Sequence, residues 1–160
     1  MKSRFHIAMV VSALSFLTPP TFAQKATVAI PADVPIISNI WIKATIPGST
    51  VSATYLRIKS AKAVKLVKVE TPVAGIAELH SMNMKDSVME MKAEDAFTVP
   101  AGKAIELKPG GMHIMLMQVA RPINVGDKVP LTLTFEGADK KQLVMRVEAI
   151  ARAPADHSAH

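Results

Sequence analysis

The chain has 160 residues, a length suited to one domain, with 19 Lys and Arg against 13 Asp and Glu for a formal charge of +6. It has no cysteine, which excludes a disulfide scaffold, a CxxC redox centre, a thiolate zinc site, a cysteine nucleophile and a blue-copper centre, whose ligand set needs a thiolate. The charge excess is modest and aromatics make up only 4% of the residues, so nucleic-acid binding is not expected.

Lys2 and Arg4 precede an apolar run from Ile7 to Leu17, which Pro19 and Pro20 interrupt ahead of Thr21-Phe22-Ala23. This order reads as a secretory signal peptide over residues 1–23, cleaved before Gln24. The run is too short to cross a bilayer, which takes roughly 20 apolar residues, so an exported protein without stable membrane insertion is expected. A domain over residues 24–150 and a disordered tail over residues 151–160, carrying Pro154, His157 and His160, complete the expected layout.

Short Val-, Ile- and Thr-rich segments follow the leader. Ile37 to Ile46 alternates, with Ile40, Ile42, Ala44 and Ile46 on one side and Trp41, Lys43 and Thr45 on the other, until Pro47-Gly48 turns the chain. Ser52 to Lys59, Val64 to Glu70 and Gly75 to Met82 repeat the strand pattern. So do Ile105 to Lys108, Met112 to Val119, Pro130 to Phe135 and Leu143 to Ile150, with Pro- and Gly-containing separators between them. Seven to nine short strands at this spacing predict an antiparallel sandwich or barrel. Trp41 and Tyr55 are expected in the core. Residues 78–95 are ambiguous: good helix formers would put His80, Met84 and Met91 on one helical face, whereas a turn at Asp86-Ser87 would make a hairpin. The hairpin is the reading adopted.

The soft ligands are unevenly placed. Eight Met lie outside the leader and seven of them fall between Met82 and Met117, together with His80 and His113. A thioether is a soft, neutral ligand that favours Cu(I) over zinc, magnesium or calcium, and imidazole supplies a second ligand type. Strand alternation puts His113, Met115 and Met117 on one face and Met112, Ile114 and Leu116 on the other. The same spacing pairs His80 with Met82 or Met84. An exported, cysteine-free chain with this cluster is a copper candidate, although methionines also fill gaps in ordinary cores.

His80, Met91, His113 and Met115 are separated by ten, twenty-one and one residues. The pattern H-x10-M-x21-H-x-M resembles the signature of the periplasmic copper chaperones called PCu(A)C. Glu78-Leu79-His80, Leu107-Lys108-Pro109-Gly110-Gly111 and Gly126-Asp127-Lys128-Val129-Pro130 are similar to blocks of that family, and the likeness covers roughly residues 36–150. The resemblance implies a cupredoxin-like Greek-key β-sandwich that binds one Cu(I) through His80, Met91, His113 and Met115; an enzyme is not expected, because the sequence shows no nucleophile, paired carboxylates or open hard-metal site. Met84 and Met89 fall on positions where methionine is frequent in relatives but which are not ligand positions. Ser87 departs from the family, where a glycine is usual, and Met112 stands where an aromatic residue or Leu is common.

The resemblance also implies delivery of copper by ligand exchange to the copper-A subunit of cytochrome c oxidase, with a Sco-type thiol protein as a co-worker. A copper buffer or resistance protein without a dedicated acceptor is the alternative function. A monomer is expected, and His157 and His160 are candidates for a second copper, as Cu(II), in the tail. Arg57, Lys59, Lys62, Lys65 and Lys68 read first as solvated strand faces, and secondly as a docking patch for an acidic partner.

Overall fold

The structure is a computed structural model that describes residues 34–85 and 88–153. It contains ten strands: β1 (Ile36–Lys43), β2 (Val51–Lys59), β3 (Val64–Glu70), β4 (Ala74–Lys85), β5 (Val88–Glu94), β6 (Phe97–Val99), β7 (Ala104–Leu107), β8 (His113–Val119), β9 (Lys128–Gly137) and β10 (Gln142–Arg152). There is no helix among the described residues, so the all-β expectation holds. Each run expected as a strand is one. The short β6 was not expected, because three residues are too few to show a period.

The strands hydrogen-bond in the order β5-β4-β8-β2-β1-β10-β9-β3-β6, with β7 on β2. One long side of β2 takes two partners in succession: β8 along Val51–Thr54 and β7 along Leu56–Lys59. β1 and β10 pair in parallel, while the other strand pairs are antiparallel. Beyond β6, Ala101 bridges to Ser60, and the Gly102 amide donates to the Ser60 carbonyl at 2.8 Å. This contact brings one end of the strand path back beside the end of β2, so the path wraps around a single core.

Alternation fills that core. Leu56 and Ile58 of β2, Leu66 of β3, Ile114 and Leu116 of β8 and Leu131, Leu133 and Phe135 of β9 are all buried. Each such side chain contributes about 1.5–3 kcal/mol relative to exposure. Ile42 of β1 and Ala44 just beyond it are buried as the alternation predicts, but Ile46 is 63% exposed. β1 ends at Lys43, and Ile46 begins a turn in which the Ser49 amide donates to its carbonyl. Tyr55 is buried, whereas Trp41 is half-buried on the outer face, with its ring centroid 4.4 Å from that of Tyr55.

The ambiguous window is a hairpin. β4 and β5 pair without slip from Leu79↔Glu94 to Lys85↔Val88, while β4 pairs with β8 on its other side. Sheet hydrogen bonds on both sides of β4 override the helical propensity of residues 78–95. The connecting residues Asp86 and Ser87 lie outside the described residues.

The tail boundary needs correcting. β10 runs through Arg152 rather than stopping at Ile150; Ala151 is buried, and the Arg152 guanidinium lies 5.6 Å from the Trp41 ring centroid. Any tail therefore starts two residues or more beyond the expected boundary. The expected signal peptide over residues 1–23, and His157 and His160, lie outside the described residues.

Candidate metal centre

Three strands put the soft ligands on one sheet face. In the β4–β8 ladder, His80 lies directly opposite His113, Glu78 opposite Met115 and Ile76 opposite Met117. Directly opposed residues of an antiparallel pair share a face, with Cβ atoms roughly 4.5–5.5 Å apart. In the β4–β5 ladder, Met82 opposes Met91 and Met84 opposes Met89. Successive rungs of the same parity therefore align Met84, Met82, His80 and Glu78 on β4 with Met89 and Met91 on β5 and His113, Met115 and Met117 on β8. The other face of β8 and of the inner part of β4, with Leu79, Ile114 and Leu116, belongs to the core. Met112 also packs against the core, as its opposite parity to His113 predicts.

The turn before β8 sets the position of His113. The Gly111 amide donates to Lys108 and the Lys108 amide to Met112, at 3.1 and 2.8 Å, closing a tight loop around Gly110, whose φ of +77° a residue with a side chain would resist. His113 then opens the strand, and its Nδ1 lies 3.0 Å from the Gly111 carbonyl oxygen. A carbonyl only accepts, so in the neutral ring Nδ1 carries the proton and Nε2 holds the lone pair. His113 is buried and has Tyr55 at 6.5 Å between ring centroids; burial pushes the Tyr55 phenol above its ordinary pKa, which keeps it neutral.

His80 is arranged with the opposite tautomer. Its Nε2 lies 2.9 Å from Glu78 Oε2. A carboxylate accepts, so in the neutral ring Nε2 donates and Nδ1 holds the lone pair. That Nδ1 is buried and has no hydrogen-bond partner. An orphaned buried nitrogen is costly unless something binds it, and here it lies on a ring whose centroid is 5.8 Å from that of His113. Each histidine thus has one nitrogen tied to a protein oxygen and one left as a donor. This is the arrangement that orients metal-binding imidazoles.

Met91, His113 and Met115 line one cleft of about 370 Å³, together with Met82, Tyr55, Lys43 and residues of the turn after β1. His80 does not line this cleft and reaches the group through its pairing with His113. A larger cleft of about 720 Å³ elsewhere, between Ala61–Val64 and Gly137–Leu143, is lined by neither histidine nor methionine. Volume alone is therefore a poor guide to this site. Among the described residues no three His, Asp or Glu side chains group around one point. Besides the two imidazoles and Glu78, the donors on this face are thioethers, a ligand type that favours a soft ion.

One contributor escaped the sequence reading, and a second, Met82, was paired there with His80 and not with Met91. Glu78 orients His80, and its i, i+2 spacing on a strand was the available signal. Met82 opposes Met91 in the hairpin and shares its cleft. The basic side chains Arg57, Lys59, Lys62, Lys65 and Lys68 are exposed; Lys68 pairs with Glu70 at 2.8 Å and Arg57 faces Glu106 in the β2–β7 register.

A family model described as "Putative lipoprotein LpqE-like" matches residues 36–147. The chain is 29% identical over 118 residues to a Leifsonia xyli protein named "Putative lipoprotein Lxx21020", covering 73% of this chain and 71% of that protein. It resembles the solution structure of apo-DR1885 from Deinococcus radiodurans at 28% identity, with a TM-score of 0.57 over 95% of this chain and 99% of that one. The copper-bound PCuAC domain from PmoF2 is 21% identical, with a TM-score of 0.59 over 75% of this chain and 93% of that domain, a likeness of fold. The fold shared with these neighbours is the cupredoxin-like β fold expected from the sequence.

Proposed function

The chain belongs to the LpqE-like family, and from that premise we propose that it is a periplasmic copper chaperone that carries one Cu(I) on His80, Met91, His113 and Met115. The observation that carries this reading is the His80–His113 cross-strand pair, in which each imidazole keeps one donor nitrogen, beside the thioethers of Met91 and Met115. Two neutral imidazoles and two neutral thioethers add no charge of their own to the ion they hold. That suits a monovalent soft ion in a half-open cleft better than a divalent one. The copper-bound PCuAC domain with the same fold supports the choice of metal.

Release by ligand exchange follows from uneven burial. His113 is 4% exposed and Met91 48% exposed. An incoming donor meets Met91 first and displaces its sulfur while His113 still holds the ion. No proton moves in that step, because a thioether does not titrate. The copper-A subunit of cytochrome c oxidase is the proposed acceptor, with a Sco-type thiol protein as co-worker. Export rests on the leader-like residues 1–23 and is in keeping with the lipoprotein name of the family.

The test is anaerobic Cu(I) titration against a competing chelator, followed by mixing with a purified copper-A domain. One tight equivalent that moves to the acceptor supports the chaperone. Tight binding without transfer would make the protein a copper buffer, and absence of binding would refute both.

A further inference from the structure

The face that holds the proposed Cu(I) site continues outward along the β4–β5 hairpin. The next rung beyond Met82↔Met91 is Met84↔Met89, two directly opposed thioethers on the same face. Met84 is 71% exposed and Met89 51% exposed, and neither belongs to the core cluster or packs against it. Packing therefore does not account for methionine at either position. β5 ends the strand path, and its residues from Val88 to Ala93 are all exposed.

The two faces of this hairpin are chemically segregated. Glu90 and Lys92 of β5 alternate with Met89 and Met91, and Ser81 and Asn83 of β4 alternate with Met82 and Met84. One face carries the charge and polarity that keep an edge strand soluble. The other presents four thioethers in two adjacent rungs, roughly 7 Å apart along the strand and leading to the histidine pair. Opposed Cβ atoms at roughly 4.5–5.5 Å, each bearing a flexible side chain, allow two sulfurs to close on one ion.

We propose that Met84 and Met89 form a second, outer soft-metal site, a two-thioether landing that takes Cu(I) weakly and passes it to the inner site through Met82 and Met91. This deepens the chaperone reading and rests on it. The passage is a ligand exchange: one copper–sulfur bond forms as another breaks, copper remains Cu(I), and no proton is taken up or released. With two neutral soft donors and no imidazole, the outer site binds less firmly than the inner one, so the ion moves inward on loading. The same rungs in reverse give an acceptor access to it.

The test uses the full chain with Ag(I) as the redox-inert mimic of Cu(I). Methionine methyl groups are followed by NMR, and wild type is compared with the Met84→Leu/Met89→Leu double variant. The first equivalent should shift the methyl signals of Met91 and Met115. A second, weaker equivalent should then shift those of Met84 and Met89, and the double variant should lose that step while keeping the first. A second equivalent that leaves the Met84 and Met89 signals in place, or no second equivalent at all, overturns the outer site while the inner one stands. A first equivalent that fails to shift Met91 and Met115 refutes the inner site and with it the landing.

Discussion

Replacing Met91 by Leu separates metal binding from packing. Met91 is 48% exposed, lies opposite Met82 on the hairpin and is absent from the core cluster. A Met-to-Leu exchange in a packed interior costs under about 1.5 kcal/mol, and at a half-exposed site the cost should be smaller still. Its effect on copper should be larger. Loss of a residue that merely supports a metal ligand weakens binding about 10–100-fold, so loss of a ligand should cost at least that. At about 1.4 kcal/mol per tenfold, this is about 1.4–2.8 kcal/mol or more. Urea unfolding of the apo protein gives the first quantity, and anaerobic chelator competition with Cu(I) the second. A useful contrast is Leu116→Ala on the opposite face, where the side chain is fully buried and truncation should cost about 2–5 kcal/mol of stability. If Met91→Leu lowers stability and leaves Cu(I) affinity unchanged, Met91 is a packing residue and the ligand set is wrong.

Removing the Glu78 carboxylate with Glu78→Ala should weaken Cu(I) about 10–100-fold by freeing the His80 ring. Imidazole ¹⁵N NMR of the apo protein should show His80 losing its Nε2–H preference, and an unchanged tautomer would refute the orienting role. Protons compete with Cu(I) for imidazole and not for thioether, so chelator competition should show affinity falling on acidification. A His80→Met/His113→Met variant should flatten that profile; a profile like that of wild type would place the titrating ligand elsewhere. Deleting residues 154–160, which spares all of β10, should leave folding and one-equivalent Cu(I) binding intact, as read by circular dichroism and titration. Loss of the tight equivalent in that truncation would move the site to the tail. Phe135→Ala, at a fully buried position of β9, should cost about 3–5 kcal/mol in urea unfolding.

Most of the strands were legible because Val, Ile and Leu alternate with polar residues where one sheet face is buried, as in Val64–Glu70, whose bounds coincide with β3. Of the candidate site, parity alone placed His113 and Met115 together on β8. The pairing of His80 with His113 was not legible, because the register between strands distant in sequence is fixed by tertiary packing. The helical propensity of residues 78–95 yielded to two neighbouring strands, which no local pattern announces. Ile46 misled because a turn took over after Lys43, so a residue of the right parity projects into the cleft instead of the core. The end of β10 is hard to read in the sequence because its inward residues, Ala149 and Ala151, are small and give the Ala-rich steps no apolar period.

The most direct test of the Cu(I) centre is X-ray absorption of the protein loaded anaerobically with one equivalent of Cu(I). The ligand set of His80, Met91, His113 and Met115 predicts a mixed first shell, with sulfur and nitrogen scatterers in comparable number. A first shell of nitrogen and oxygen alone would contradict it.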